Sequence, residues 1–152
     1  MNDLVKILIW GVFILLAFAL QTNHFLSLGG INPNLILLAV SGGVILEKKF
    51  RNFLGLILAI IFLSVIFWPY WLKEILVLSG LGSAAFLFKK FLTGSAVLDF
   101  LILILIGTLG FYLMANFRYF PANPAAIAAE LFYNISLGGV LVVALKLFQR
   151  RI

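Results

Sequence analysis

The sequence predicts an all-α fold, a polytopic membrane protein built as a six-transmembrane-helix bundle, and three observations predict it. Hydrophobic residues make up 64% of the 152 residues and charged residues only 11%, against about 25% charged in soluble domains. Mean hydropathy is +1.22, far more apolar side chain than one water-soluble core of this length buries. The apolar residues fall in long runs divided by short polar or basic segments, without the strict alternation of a barrel strand. Lipid then leaves the helix as the way to satisfy every backbone group. No linker divides the chain, so residues 1–152 read as a single transmembrane domain.

The first apolar run covers residues 5–21, with Asp3 and Lys6 at its start. Ala17-Phe18-Ala19 resembles the small-residue cleavage site of a secretory signal, but the run is read as a retained membrane anchor. Residues 22–32 form a loop with the paired Gly29-Gly30 and the single histidine, His24. The second run, 33–46, is short for a hydrocarbon core that takes about 20 helical residues. Asn32 as cap and Pro33 at the first helical position predict its start. It is expected to begin deep in the headgroups, to re-enter, or to extend into Glu47-Lys48-Lys49.

The third run, 53–68, ends in Trp68-Pro69-Tyr70-Trp71, an aromatic belt with a proline that stops the helix. The fourth, 72–88, opens on Lys73 and Glu74 and carries Ser79-Gly80-Leu81-Gly82-Ser83 at mid-length. That stretch predicts a close-packing face of small residues, with an unwound, cavity-lining break as the alternative. The fifth, 97–115, is the most apolar and holds Gly107 and Gly110. A loop at 116–123 containing Arg118 precedes the sixth, 124–148, which Asn123-Pro124 opens and Lys146 and Gln149-Arg150-Arg151 finish.

Basic residues orient such a bundle, because cytoplasmic loops carry the excess of Lys and Arg. With six spans and an inside N-terminus, one side holds Lys6, Lys48, Lys49, Arg51, Lys89, Lys90, Lys146, Arg150 and Arg151. The other holds only Lys73 and Arg118, so nine of the 11 basic residues face two. Both termini are expected in the cytoplasm, and the chain in the cell's inner (cytoplasmic) membrane as a multi-pass protein. Lys48, Lys49, Arg51, Lys89, Lys90, Arg150 and Arg151 are the candidate contacts with membrane lipids or a cytoplasmic partner. The formal charge of +6 is dispersed among apolar runs rather than spread as the continuous basic surface that phosphate binding needs. No nucleic acid is expected as a partner.

Charge at membrane depth is expensive and marks a candidate site. Glu130 lies about two turns into the last run, with Asn134 one turn later on the same face. Together with Ala126 and Gly138 they form a stripe that must face protein. The simplest reading is an interhelical hydrogen-bond patch near the outer leaflet, completed by Arg118 or Gln21. A ligand-, ion- or proton-binding carboxylate and a partner-protein contact are the alternatives. Asp99 suits a helix start, where a carboxylate meets the positive helix end. Glu47 beside Lys48 and Lys49, and Glu74 beside Lys73, read as interfacial pairs.

The chain has no cysteine, hence neither disulfides nor thiolate chemistry. His24, the single histidine, reads as an exposed loop residue, since it supplies neither a converging metal set nor a base for a nucleophile. There is no G-x-S-x-G elbow and no phosphate-cradling G-x-x-x-x-G-K-S/T. No catalytic residue, metal or cofactor is expected, and the chain reads as a non-enzyme.

Leu20-Gln21 closes the first run, Ile31-Asn32-Pro33-Asn34-Leu35-Ile36-Leu37-Leu38 opens the second, and Arg51-Asn52-Phe53-Leu54-Gly55-Leu56-Ile57-Leu58 heads the third. In these segments, and in its small size, six runs and basic C-terminus, the chain resembles the MreD family of rod shape-determining membrane proteins. It departs from that family at Ala59-Ile60-Ile61, where an Asp often follows the Gly-Leu pair. The resemblance implies a non-enzymatic scaffold of the bacterial cell-elongation machinery (cell shape and cell wall biogenesis), working with an MreC-like protein, the MreB filament and the RodA–transpeptidase wall synthase. The family is also similar to the six-helix substrate-binding subunits (S-components) of energy-coupling-factor vitamin transporters. That alternative implies a pocket near the outer side lined by groups such as Glu130 and Asn134, whereas a scaffold implies lipid-facing grooves and no closed pocket. The first run lacks the A-x-x-x-A stripe of such subunits.

Overall fold

The computed structural model describes the backbone of residues 3–149 and the side chains of residues 10–143, so Arg150 and Arg151 lie outside the described residues. The chain is helical throughout: α1 (Asp3–Thr22), α2 (Leu35–Leu46), α3 (Phe50–Phe67), α4 (Leu72–Leu87), α5 (Ala96–Ala115), the single turn α6 (Tyr119–Ala122) and α7 (Pro124–Gln149). Short 3₁₀ turns, Pro69–Trp71 and Lys89–Phe91, precede α4 and follow it. Among the described residues four segments are long and apolar enough to cross a membrane: Phe50–Phe67, Pro69–Leu87, Ala96–Ala115 and Pro124–Val143. The part of α1 whose side chains are described, Trp10–Thr22, is apolar as well, and Leu35–Leu46 is a shorter apolar helix. Large apolar side chains such as Phe62, Ile106 and Phe132 stay exposed on the outside of the bundle, where a bilayer solvates them at no cost. This is a membrane protein.

The shortest of the apolar helices sits at the centre. α2 packs against α1, α4 and α5, and more lightly against α3 and α7, and its residues from Ile36 to Val44 are buried without interruption. At 12 residues it is about 18 Å long, less than a hydrocarbon core is thick. Asn34 at its head and Glu47 at its tail are 6% and 5% exposed, so its unpaired backbone groups need protein partners. Side chains from other elements supply them. At the N-terminus, Asn134 Oδ1 accepts from the Asn34 amide at 2.8 Å, Gln21 Oε1 from Ile36 at 3.2 Å and Asn34 Oδ1 from Leu37 at 2.9 Å. At the C-terminus, Lys89 Nζ donates to the carbonyls of Ile45 and Glu47, at 2.9 and 3.0 Å. The cap is thus Asn34 rather than Asn32, and Pro33 lies before the helix, not at its first position.

Glu47 corrects a second expectation. It is only 5% exposed and accepts from Trp10 Nε1 at 3.0 Å and Asn52 Nδ2 at 3.4 Å, so it ties α1 to the head of α3 instead of pairing with its exposed neighbours Lys48 and Lys49. Asp99 lies in the first turn of α5 as expected, and its Oδ1 accepts from both the amide and the hydroxyl of Thr93 at 2.7 Å. Burial lowers the pKa of Lys89, opposed by the nearby carboxylates of Glu47 and Asp99.

Small residues let the helices close on α2 and α5. A Cβ on Gly82 would strike Val40, one on Gly107 would lie 2.5 Å from Leu37 Cδ1, and one on Gly138 would strike Phe100. α4 runs unbroken through Ser79-Gly80-Leu81-Gly82-Ser83, so the stretch is a packing face and not an unwound break. Between α1 and α2, Gly29 and Gly30 take φ of +60° and +83°, the conformation a two-residue I′ hairpin requires. Leu28 and Ile31 exchange both backbone bonds across it at 3.0 Å.

Candidate functional site

The polar residues of the sequence gather at two ends of the bundle. One end holds Glu47, Lys48, Lys49, Arg51, Lys89 and Lys90, drawn together by the Trp10–Glu47 and Lys89–Glu47 bonds. Lys48, Lys49, Arg51 and Lys90 are exposed there, while Lys89 is half-buried as a helix cap. The other end holds Gln21, Asn34, Glu74, Tyr112, Glu130 and Asn134, and it contains a cleft of about 330 Å³. That volume lies at the lower bound of small-molecule sites.

α7 places the anchor of the cleft. Its stripe faces protein as predicted: Asn134 is completely buried and Gly138 packs on Phe100 and Ile104 of α5. Asn134 spends its oxygen on the start of α2, and its Nδ2 is buried without a hydrogen-bond partner. One turn earlier Glu130 Oε2 accepts from the Tyr112 hydroxyl of α5. Either Arg118 or Gln21 is the expected partner of Glu130, and neither takes that place. Arg118 is exposed in the turn ahead of α6, and Gln21 is committed to the Ile36 amide. Tyr112 also stacks on Tyr119, 5.6 Å between centroids.

α4 supplies the opposing wall. Lys73 Nζ donates to the Ala115 carbonyl at the end of α5, 2.8 Å away, and so satisfies one orphan acceptor of that helix. Glu74 is thereby not the partner of Lys73: it lines the cleft, and its Oε2 is buried with no partner. Asn32 shows the same condition. Its amide group bonds the His24 ring, while its Oδ1, also in the wall, has none. His24 itself is an exposed loop residue with φ +51°, as read from the sequence apart from this contact. Ile75, Leu78 and Phe111 make the floor apolar, and Tyr70 and Trp71 stand beside it.

Glu130 lines the cleft and Asn134 does not; it works one layer deeper. Sequence reasoning missed Glu74, Tyr112 and Asn34. A signal existed for Tyr112, because a phenol inside an apolar helix needs a polar partner, and few acids are placed to provide one. Among the described residues no group of three His, Cys, Asp or Glu could hold a metal ion. The chain matches no family model, no curated protein and no solved structure.

Proposed function

We propose that this chain is an MreD-like, non-enzymatic membrane scaffold of the bacterial cell-elongation machinery. In this reading it crosses the inner membrane six times, through α1 to α5 and α7, with both termini in the cytoplasm. The observation that carries it is the placement of the family-like segment. Asn32-Pro33-Asn34-Leu35 marks the start of α2, the helix that five others pack against, and Asn52 of the third segment holds Glu47 at its other end. The second of the segments that carry the resemblance builds the hub, which suits a rigid platform. Partners are an MreC-like protein and the wall synthase, held on outer helix faces and on the Lys48–Lys49–Arg51 and Lys89–Lys90 loops.

The test is co-purification of the tagged chain from native membranes, read by mass spectrometry. Recovery of wall-synthesis proteins is the expected result; recovery of an ATPase coupling module instead would overturn it. One observation favours that second reading, a substrate-binding subunit similar to the S-components: the cleft lined by Glu130. The same experiment separates the two.

A further inference from the structure

We infer that the cleft between the head of α2 and the helices α4, α5 and α7 binds a small organic ammonium compound, a primary amine carried on an apolar or aromatic body. Three observations meet in one place. The first is the cavity itself, about 330 Å³ between helix ends, enough for a ligand of modest size. The second is a surplus of acceptors. The lining carries two carboxylates, Glu74 and Glu130, and no Lys, Arg or His, because Lys73 is turned to the Ala115 carbonyl. The third is that two lining acceptors, Glu74 Oε2 and Asn32 Oδ1, are buried and receive no hydrogen bond from the protein.

Buried acceptors without donors are costly, and a carboxylate most of all. A turn of the Glu74 side chain toward the cleft lets a ligand N–H group remove that cost, and a positive charge answers the carboxylates at the same time. The remainder of the wall selects what carries the ammonium. Tyr70, Trp71 and Tyr112 line the same cleft, and aromatic faces attract a cation near their centroids and pack flat on an apolar body. A bare metal ion fits poorly, since no group of three His, Cys, Asp or Glu among the described residues could ligate it. A phosphate or carboxylate ligand is repelled by the two acids.

The experiment uses the full chain in lipid nanodiscs, titrated calorimetrically with tyramine and with agmatine, and with 4-ethylphenol as the neutral match of tyramine. Saturable binding of an amine is expected, with 4-ethylphenol at least about tenfold weaker, the weight of one charge-assisted hydrogen bond. Glu74→Gln is the first variant, because Glu74 Oε2 has no internal bond to lose. It is expected to weaken amine binding at least about tenfold while its melting temperature without ligand does not fall below that of the parent. Partition into the bilayer is common to both proteins and cancels in that comparison. Absence of saturable binding of either amine at millimolar concentration overturns the proposal. So does binding of 4-ethylphenol as tight as that of tyramine, or undiminished binding to Glu74→Gln.

Discussion

At the residue scale, Asn134 shows why an amide is kept inside an apolar helix. Its oxygen takes up the Asn34 amide hydrogen at 2.8 Å, at a buried helix start. Replacing it by Ala leaves that donor buried and unpaired, a loss of about 1–3 kcal/mol, and also takes away side-chain volume from a completely buried position. Asn134→Ala is therefore expected to lower the stability of the purified protein by about that amount. Ser136, two residues along, is exposed and bonds only the Phe132 carbonyl of its own helix. Ser136→Ala should stay within about 0.5 kcal/mol of the parent. Thermal unfolding followed by size-exclusion in detergent measures both. Equal stability of the two variants would mean that the Asn134–Asn34 bond contributes nothing.

The helices themselves were largely legible, because lipid makes each apolar run declare its element. α3, α4, α5 and α7 begin within three residues of the expected positions and end within one. The start of α2 moved from Pro33 to Leu35 since Asn34, not Asn32, has a side chain within reach of the Leu37 amide. Pairing was not legible. Glu47 and Glu74 each follow or precede a lysine, and adjacency suggested ion pairs, but their neighbours in space come from Trp10 and from the α5–α7 wall. Asn34 meets Asn134 across 100 residues of chain, a separation at which no local pattern speaks. Helix-helix contact distance was legible only in part. Gly138 and Gly139 are alike in sequence, yet a Cβ on Gly138 would strike Phe100 and lie 2.7 Å from Ile104 Cδ1, whereas one on Gly139 meets nothing within 4 Å. Gly138→Ala is expected to destabilise the α5–α7 packing by about 1–3 kcal/mol. Gly139→Ala should be neutral or stabilising by up to about 1 kcal/mol, through helix propensity. The sign difference, read in the same unfolding assay, tests the packing register of α7 directly.

For the whole molecule, the two ends differ in charge and in purpose. The Glu47–Lys89 end closes α2 and exposes Lys48, Lys49, Arg51 and Lys90; the opposite end carries the cleft and, of the basic residues, Lys73 and Arg118. Lys73 and Arg118 are both exposed there, and Lys73 is bonded to the Ala115 carbonyl. A bundle so polarised should insert in one direction, with the lysine-rich end in the cytoplasm and the cleft outward. The chain has no cysteine, so single introduced thiols report on orientation without background. In intact cells a membrane-impermeant maleimide is expected to label Arg118→Cys at once and Lys90→Cys only after permeabilisation. The reverse pattern would invert the topology and turn the cleft toward the cytoplasm. Equal labelling of both sites would mean that the charge difference does not orient the chain, and the assignment of cytoplasmic partners to the basic loops would fail with it.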